Sequence, residues 1–93
     1  MADDQHRQVT VTIQNRLGMH ARPAMAFVDL ANTFKSTVQV RKDAQVVDGK
    51  SIMQMMMLAA TQGTQLHVEA TGPDADQAIA DLTALVDRKF DEE

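Results

Sequence analysis

Three short stretches of this chain alternate apolar with polar residues, and that period of two limits its fold more than any other feature. Val9, Val11 and Ile13 are separated by Thr10 and Thr12, Val38 and Val40 by Gln39, and Leu66, Val68 and Ala70 by His67 and Glu69. Successive strand side chains point to opposite faces, so each stretch reads as a strand with one buried and one wet face. A sheet of such strands needs cover on one side only. That points to an antiparallel sheet under a helical layer.

The helices are legible between the strands. Ala24, Phe27, Val28, Ala31 and Phe34 recur at three- and four-residue steps, with Pro23 in the first turn, where its missing N–H costs little. Asp43-Ala44 reads as a turn into a return strand over Gln45 to Asp48. Ser51 to Ala60 reads as a helix capped by the Ser51 hydroxyl and ended near Gly63. A last helix follows Gly72, with Pro73 at or next to its first position and Asp74 and Asp76 in its first turn. Its stripe is Ala75, Ile79, Leu82, Val86 and Phe90, reinforced by Ala78 and Leu85. The order is β-α-β-β-α-β-α, an α+β fold in one domain over residues 1–93, with residues 1–6 and 91–93 expected as mobile tails.

The middle helix carries two apolar stripes. Ile52, Met55, Met56 and Ala59 form one, and Met53, Met57 and Ala60 the other. So small a domain packs one of them on the sheet, so Met56 is expected inside and Met53 and Met57 outside. Exposed methionine suits an adaptable docking surface, although a deeply buried helix would show the same pattern.

Composition excludes several classes. The 93 residues carry a net charge of −4 and only three aromatics, all Phe, which argues against a nucleic-acid partner. The absence of cysteine removes disulfides, thiolate metal sites and cysteine nucleophiles. No apolar run approaches the ~20 residues needed to cross a bilayer, and no basic and apolar leader opens the chain, so a cytoplasmic protein without a membrane partner is expected.

The chemistry is concentrated in Leu17-Gly18-Met19-His20-Ala21-Arg22-Pro23-Ala24. A helix start offers free N–H groups and a positive dipole end, both of which favour an anion. His20 there can hold a phosphoryl group covalently, with Arg22 as counter-charge and without a metal or cofactor. A neutral imidazole attacks phosphorus and leaves again readily, which suits a relay, whereas serine would form a stable ester. A histidine at a helix start is also commonly only a cap or a solvated surface residue. His6, in the expected tail, and His67, on the wet face of its strand, read as structural or solvent-facing.

Ala44 to Ser51 also satisfies a relaxed phosphate-binding P-loop pattern, A-x-x-x-x-G-K-S. That reading requires a glycine-rich turn after a parallel strand, but Gln45-Val46-Val47 is strand-like and only Gly49 offers freedom.

Gly18-Met19-His20-Ala21-Arg22-Pro23-Ala24, then Gly49-Lys50-Ser51-Ile52-Met53 and Gln62-Gly63-Thr64, together resemble the HPr family of histidine phosphocarriers of the phosphoenolpyruvate-dependent phosphotransferase system, over nearly the whole chain. The resemblance implies an open-faced β-sandwich with a four-stranded antiparallel sheet, order 1-4-2-3, covered on one face by three helices. It implies that His20 accepts phosphate on Nδ1 from phosphorylated enzyme I and passes it to EIIA-type domains, acting as a carrier and not as a stand-alone enzyme. Arg22 would neutralise the phosphate. Ser51 matches a regulatory serine, served by an HPr kinase/phosphorylase. Met19, Ala21, Ala24, Ile52, Met53 and Met57 are the expected partner-binding residues of a monomer. Met19, Met25, Val68-Glu69-Ala70-Thr71-Gly72-Pro73 and the acidic ending resemble the nitrogen-related carrier, and Gly49 to Met53 the sugar carriers, so both outputs stand. A non-catalytic interaction domain, docking through its methionines, is the alternative.

Overall fold

The computed structural model describes residues 4–92 and places β1 (Gln5–Thr12), α1 (Ala21–Ala31), β2 (Thr37–Lys42), β3 (Gln45–Asp48), α2 (Ile52–Met57), β4 (Gln65–Gly72) and α3 (Ala75–Asp87) in that order, followed by a 3-10 turn, Lys89–Asp91. All strand pairs are antiparallel, as the alternation predicts, and the sheet order is β1-β4-β2-β3, as the family resemblance implies. The register sets Val9, Val68, Val40 and Val47 in one row across all four strands. That face receives Phe27 of α1, Met55 of α2 and Leu82 and Val86 of α3, all buried. Burying each such side chain contributes about 1.5–3 kcal/mol. Packing therefore holds these helices, since helices of such lengths are marginal alone. Gln8, Thr10, His67, Glu69, Gln39 and Arg41 occupy the alternate positions and form the uncovered polar face.

Hydrogen bonds at the helix ends fix the relation of α1 to α2. Asn32, which follows α1, donates from Nδ2 to the Lys50 carbonyl at 3.3 Å, just before α2. Beyond the other end of α2, the Ala60 carbonyl accepts from Met19 N–H at 2.8 Å, just before α1. The two helices therefore run antiparallel. His20 and Ser51 lie at opposite ends of α1, a separation of about 16 Å at 1.5 Å per residue.

The structure departs from the sequence reading at several places. The second helix is only Ile52–Met57, and its buried line is Met55 with the following Leu58, not Met55 with Met56. Met56 is 44% exposed, which corrects its placement in the core, while Met53 at 76% and Met57 at 65% face solvent as expected. A helix of one and a half turns cannot show which of two adjacent stripes wins, and its left-handed stop at Ala59 (φ 48) removes Ala59 from the stripe. The last helix ends at Asp87 and does not run through Phe90. Gln5 and His6 pair with Gly72 and Thr71 inside β1, where a tail was expected.

Candidate functional site

His20 is the N-cap of α1, with extended backbone (φ −82, ψ −169), and its carbonyl accepts the first helical bond from Ala24 N–H at 3.0 Å. The N–H groups of Ala21 and Arg22 precede that bond and Pro23 has none, so this end offers two backbone donors beside the imidazole. The ring does not cap the helix. Its side chain is 38% exposed, and Nε2 lies 3.0 Å from Glu92 Oε1.

The segment carrying His20 is held from below. Gly18 has φ +71, and a Cβ on it would lie 2.5 Å from the Ala60 carbonyl oxygen and 2.9 Å from Thr61 Cα. Only glycine permits that approach. Ile13 and Gly63 N–H donate to the Thr64 and Ile13 carbonyls at 2.9 and 2.8 Å, tying the end of β1 to the segment after α2. Asn15, buried between them, donates to the Gly18 carbonyl at 2.7 Å and to Glu92 Oε1 at 2.9 Å.

Glu92 arrives by an unusual path. Lys89, Phe90 and Asp91 all have left-handed backbone, φ 59, 56 and 62, each costing an L-residue roughly 1–2 kcal/mol. Burial of Phe90 in the core offsets that cost and turns the chain back over α1. The Glu92 side chain is 17% exposed. The hydrogen bond from His20, helped by Asn15 and by the charges of His20 and Arg22, holds its carboxyl below the ordinary value, against the desolvation that pushes it up. The field at His20 therefore has a negative component as well as the positive helix end.

Arg22 and Ala21 are exposed beside His20, in the first turn of α1, and Arg22 forms no ion pair among the described residues. Met19 and Ala24 are corrected as partner-binding residues: at 4% and 0% exposure they belong to the core, because the loop before α1 turns Met19 inward and Ala24 starts its buried stripe. Leu17 and Met25 are the large exposed apolar residues near His20 in the chain. Ile52 is half-buried. Ser51 caps α2, its Oγ accepting from Gln54 N–H at 3.2 Å. Ala44 to Ser51 is a turn, the β3 strand and a second turn, so the phosphate-cradle reading fails on geometry. On the open sheet face, Glu69 lies 3.6 Å from His6 Nε2 and 3.4 Å from His67 Nε2, and no group of three or more potential ligands among the described residues is arranged to hold a metal. Asn15 and Glu92 are the site residues that sequence reasoning missed. No sequence signal marked them, since Phe90, whose burial brings Glu92 back, reads as the last member of the helical stripe.

Residues 7–88 match the family described as "PTS HPr component phosphorylation site". This chain belongs to the HPr family of phosphotransferase-system phosphocarriers. It is 48% identical over 84 residues to phosphocarrier protein NPr of Proteus mirabilis, covering 89% of this chain and 93% of that one. It is 47% identical over 83 residues to phosphocarrier protein HPr of Pseudomonas aeruginosa, covering 88% and 92%. The crystal structure of HPr-C-His from Thermoanaerobacter tengcongensis superposes with a TM-score of 0.90 at 44% identity, covering 94% of this chain and 98% of that one. No helix among the described residues is long and apolar enough to cross a membrane.

Proposed function

We propose that His20 is the residue that carries the phosphoryl group, receiving it from phosphorylated enzyme I and yielding it to EIIA-type domains. The observation that carries this reading is a half-exposed imidazole standing at a helix start whose first two N–H groups have no helical acceptor. Those donors and the Arg22 guanidinium supply the positive field for a phosphoryl group on the ring. The exposed Met53, Met56 and Met57 of α2, with Leu17 and Met25, form the apolar surface that docks partners. Ser51, at the far end of α1, is the regulatory position, where a phosphate adds about two negative charges beside Met53.

The test is incubation with phosphoenolpyruvate and enzyme I. Native protein gains an acid-labile, base-stable phosphoryl group, and His20→Ala gains none while keeping its thermal unfolding midpoint. Arg22→Ala keeps the label but acquires it more slowly, having lost charge stabilisation of roughly 2–4 kcal/mol on the scale of an oxyanion-hole donor. Labelling of His20→Ala refutes the assignment.

A further inference from the structure

We propose that Glu92 is a positioning residue for His20, fixing the proton on Nε2 so that the Nδ1 lone pair is free to attack phosphorus. The proposal rests on the phosphocarrier reading above and names a second residue of that site. An ionised carboxylate only accepts hydrogen bonds, so at 3.0 Å from Glu92 Oε1 the Nε2 atom must be the donor. Neutral imidazole carries one proton, so with Nε2 protonated the lone pair is on Nδ1. Asn15 holds the carboxylate in place, donating from Nδ2 both to the Gly18 carbonyl and to Glu92 Oε1.

The same contact serves the transfer step. As the Nδ1–P bond forms, the bond from phosphorus to the donor's leaving atom breaks and its electron pair leaves with the donor. The Nε2 proton stays, and the ring becomes a phospho-imidazolium with a positive charge. Glu92 meets that charge directly through a charge-assisted hydrogen bond. Its repulsion of the phosphoryl group acts across the width of the ring, where the Ala21 and Arg22 N–H groups and the Arg22 guanidinium oppose it. Retaining the Nε2 proton also keeps the imidazole a good leaving group for the onward transfer. This is the same two-ended arrangement by which a carboxylate orients a catalytic histidine elsewhere.

Nitrogen-15 spectra of the His20 ring at pH 8.5, above the ordinary histidine range, read the tautomer, with the His6 and His67 rings as internal controls for the fold. The expected result is a protonated Nε2 in the native protein, a mixture of tautomers in Glu92→Ala, and restoration in Glu92→Gln, whose amide oxygen still accepts. Single-turnover phosphoryl acceptance should fall about tenfold in both variants, because both lose the charge. An unchanged His20 spectrum in Glu92→Ala, or an unchanged transfer rate in both variants, overturns the proposal. A native protein that takes no phosphoryl group at His20 refutes the phosphocarrier reading instead, and the ring spectrum then still decides whether Glu92 sets the tautomer.

Discussion

Asp74 closes on Ser36: its Oδ1 accepts from the Ser36 hydroxyl at 2.6 Å and from the Ser36 N–H at 2.9 Å, while Oδ2 takes the Lys35 N–H at 2.9 Å. Asp74 precedes α3 as its N-cap but spends its side chain on the loop between α1 and β2 instead of on its own helix. The Ser36 hydroxyl first, then the backbone donors, lower its pKa from 3.8 to about 2. A depressed carboxylate adds stability that is complete above the unfolded value and is lost as pH falls through the folded one.

The native melting temperature should therefore drop between pH 4 and pH 2 by a contribution that Asp74→Asn lacks. The variant should be less stable at pH 7, with the difference shrinking toward pH 2. Thermal unfolding at pH 7, 4 and 2.5 checks this, and parallel profiles would show that the contact contributes nothing.

Gly18→Ala and Gly63→Ala separate crowding from backbone strain. Both positions have positive φ, +71 and +91, but a Cβ at Gly63 meets nothing within 4 Å, whereas at Gly18 it strikes the Ala60 carbonyl. Both should cost more than the roughly 0.4–1 kcal/mol that an allowed change gains, and Gly18→Ala should cost more in urea unfolding. It should also slow phosphoryl acceptance, because the loop that holds His20 is displaced.

The helical methionines divide into two groups. Met55→Ala should cost about 2–5 kcal/mol, since its side chain is fully buried. Met53→Glu and Met56→Glu should each stay within about 0.5 kcal/mol of native stability and yet slow transfer from enzyme I, because a charge must be desolvated on docking. A large stability loss in Met56→Glu would return that residue to the core.

Ser51→Ala should cost about 1 kcal/mol, the usual worth of an N-cap. Phosphorylated Ser51 should retain the melting temperature, since its charge faces the positive end of α2, and should accept phosphate at His20 more slowly. Equal acceptance rates for the modified and unmodified proteins would remove Ser51 from regulation.

What could be read from the sequence was whatever repeats locally. The alternation of β1, β2 and β4 and the stripe of α1 are set by period alone, and they placed His20 at the helix start. Met56 was misplaced because Ile52–Met57 is too short for period to choose a face. Glu92 could not be foreseen, because three consecutive left-handed residues, Lys89 to Asp91, include no glycine to announce the reversal. Met19 shares a motif with His20, but proximity in sequence does not say which side chains turn inward, whereas Ala24 already belonged to the apolar stripe of α1 and its burial follows that period.

The sheet order carries a consequence for the birth of the fold. β1 pairs only with β4, Gln5 opposite Gly72 and Thr12 opposite Gln65. On a ribosome adding about 5–20 residues per second, the first strand waits roughly 3–10 s for the ~50 intervening residues before its partner exists. Through that interval its apolar face and both edges are unpaired. A neighbouring copy's β4 offers the identical register, so during that interval β1 is open to pairing between molecules as well as within its own.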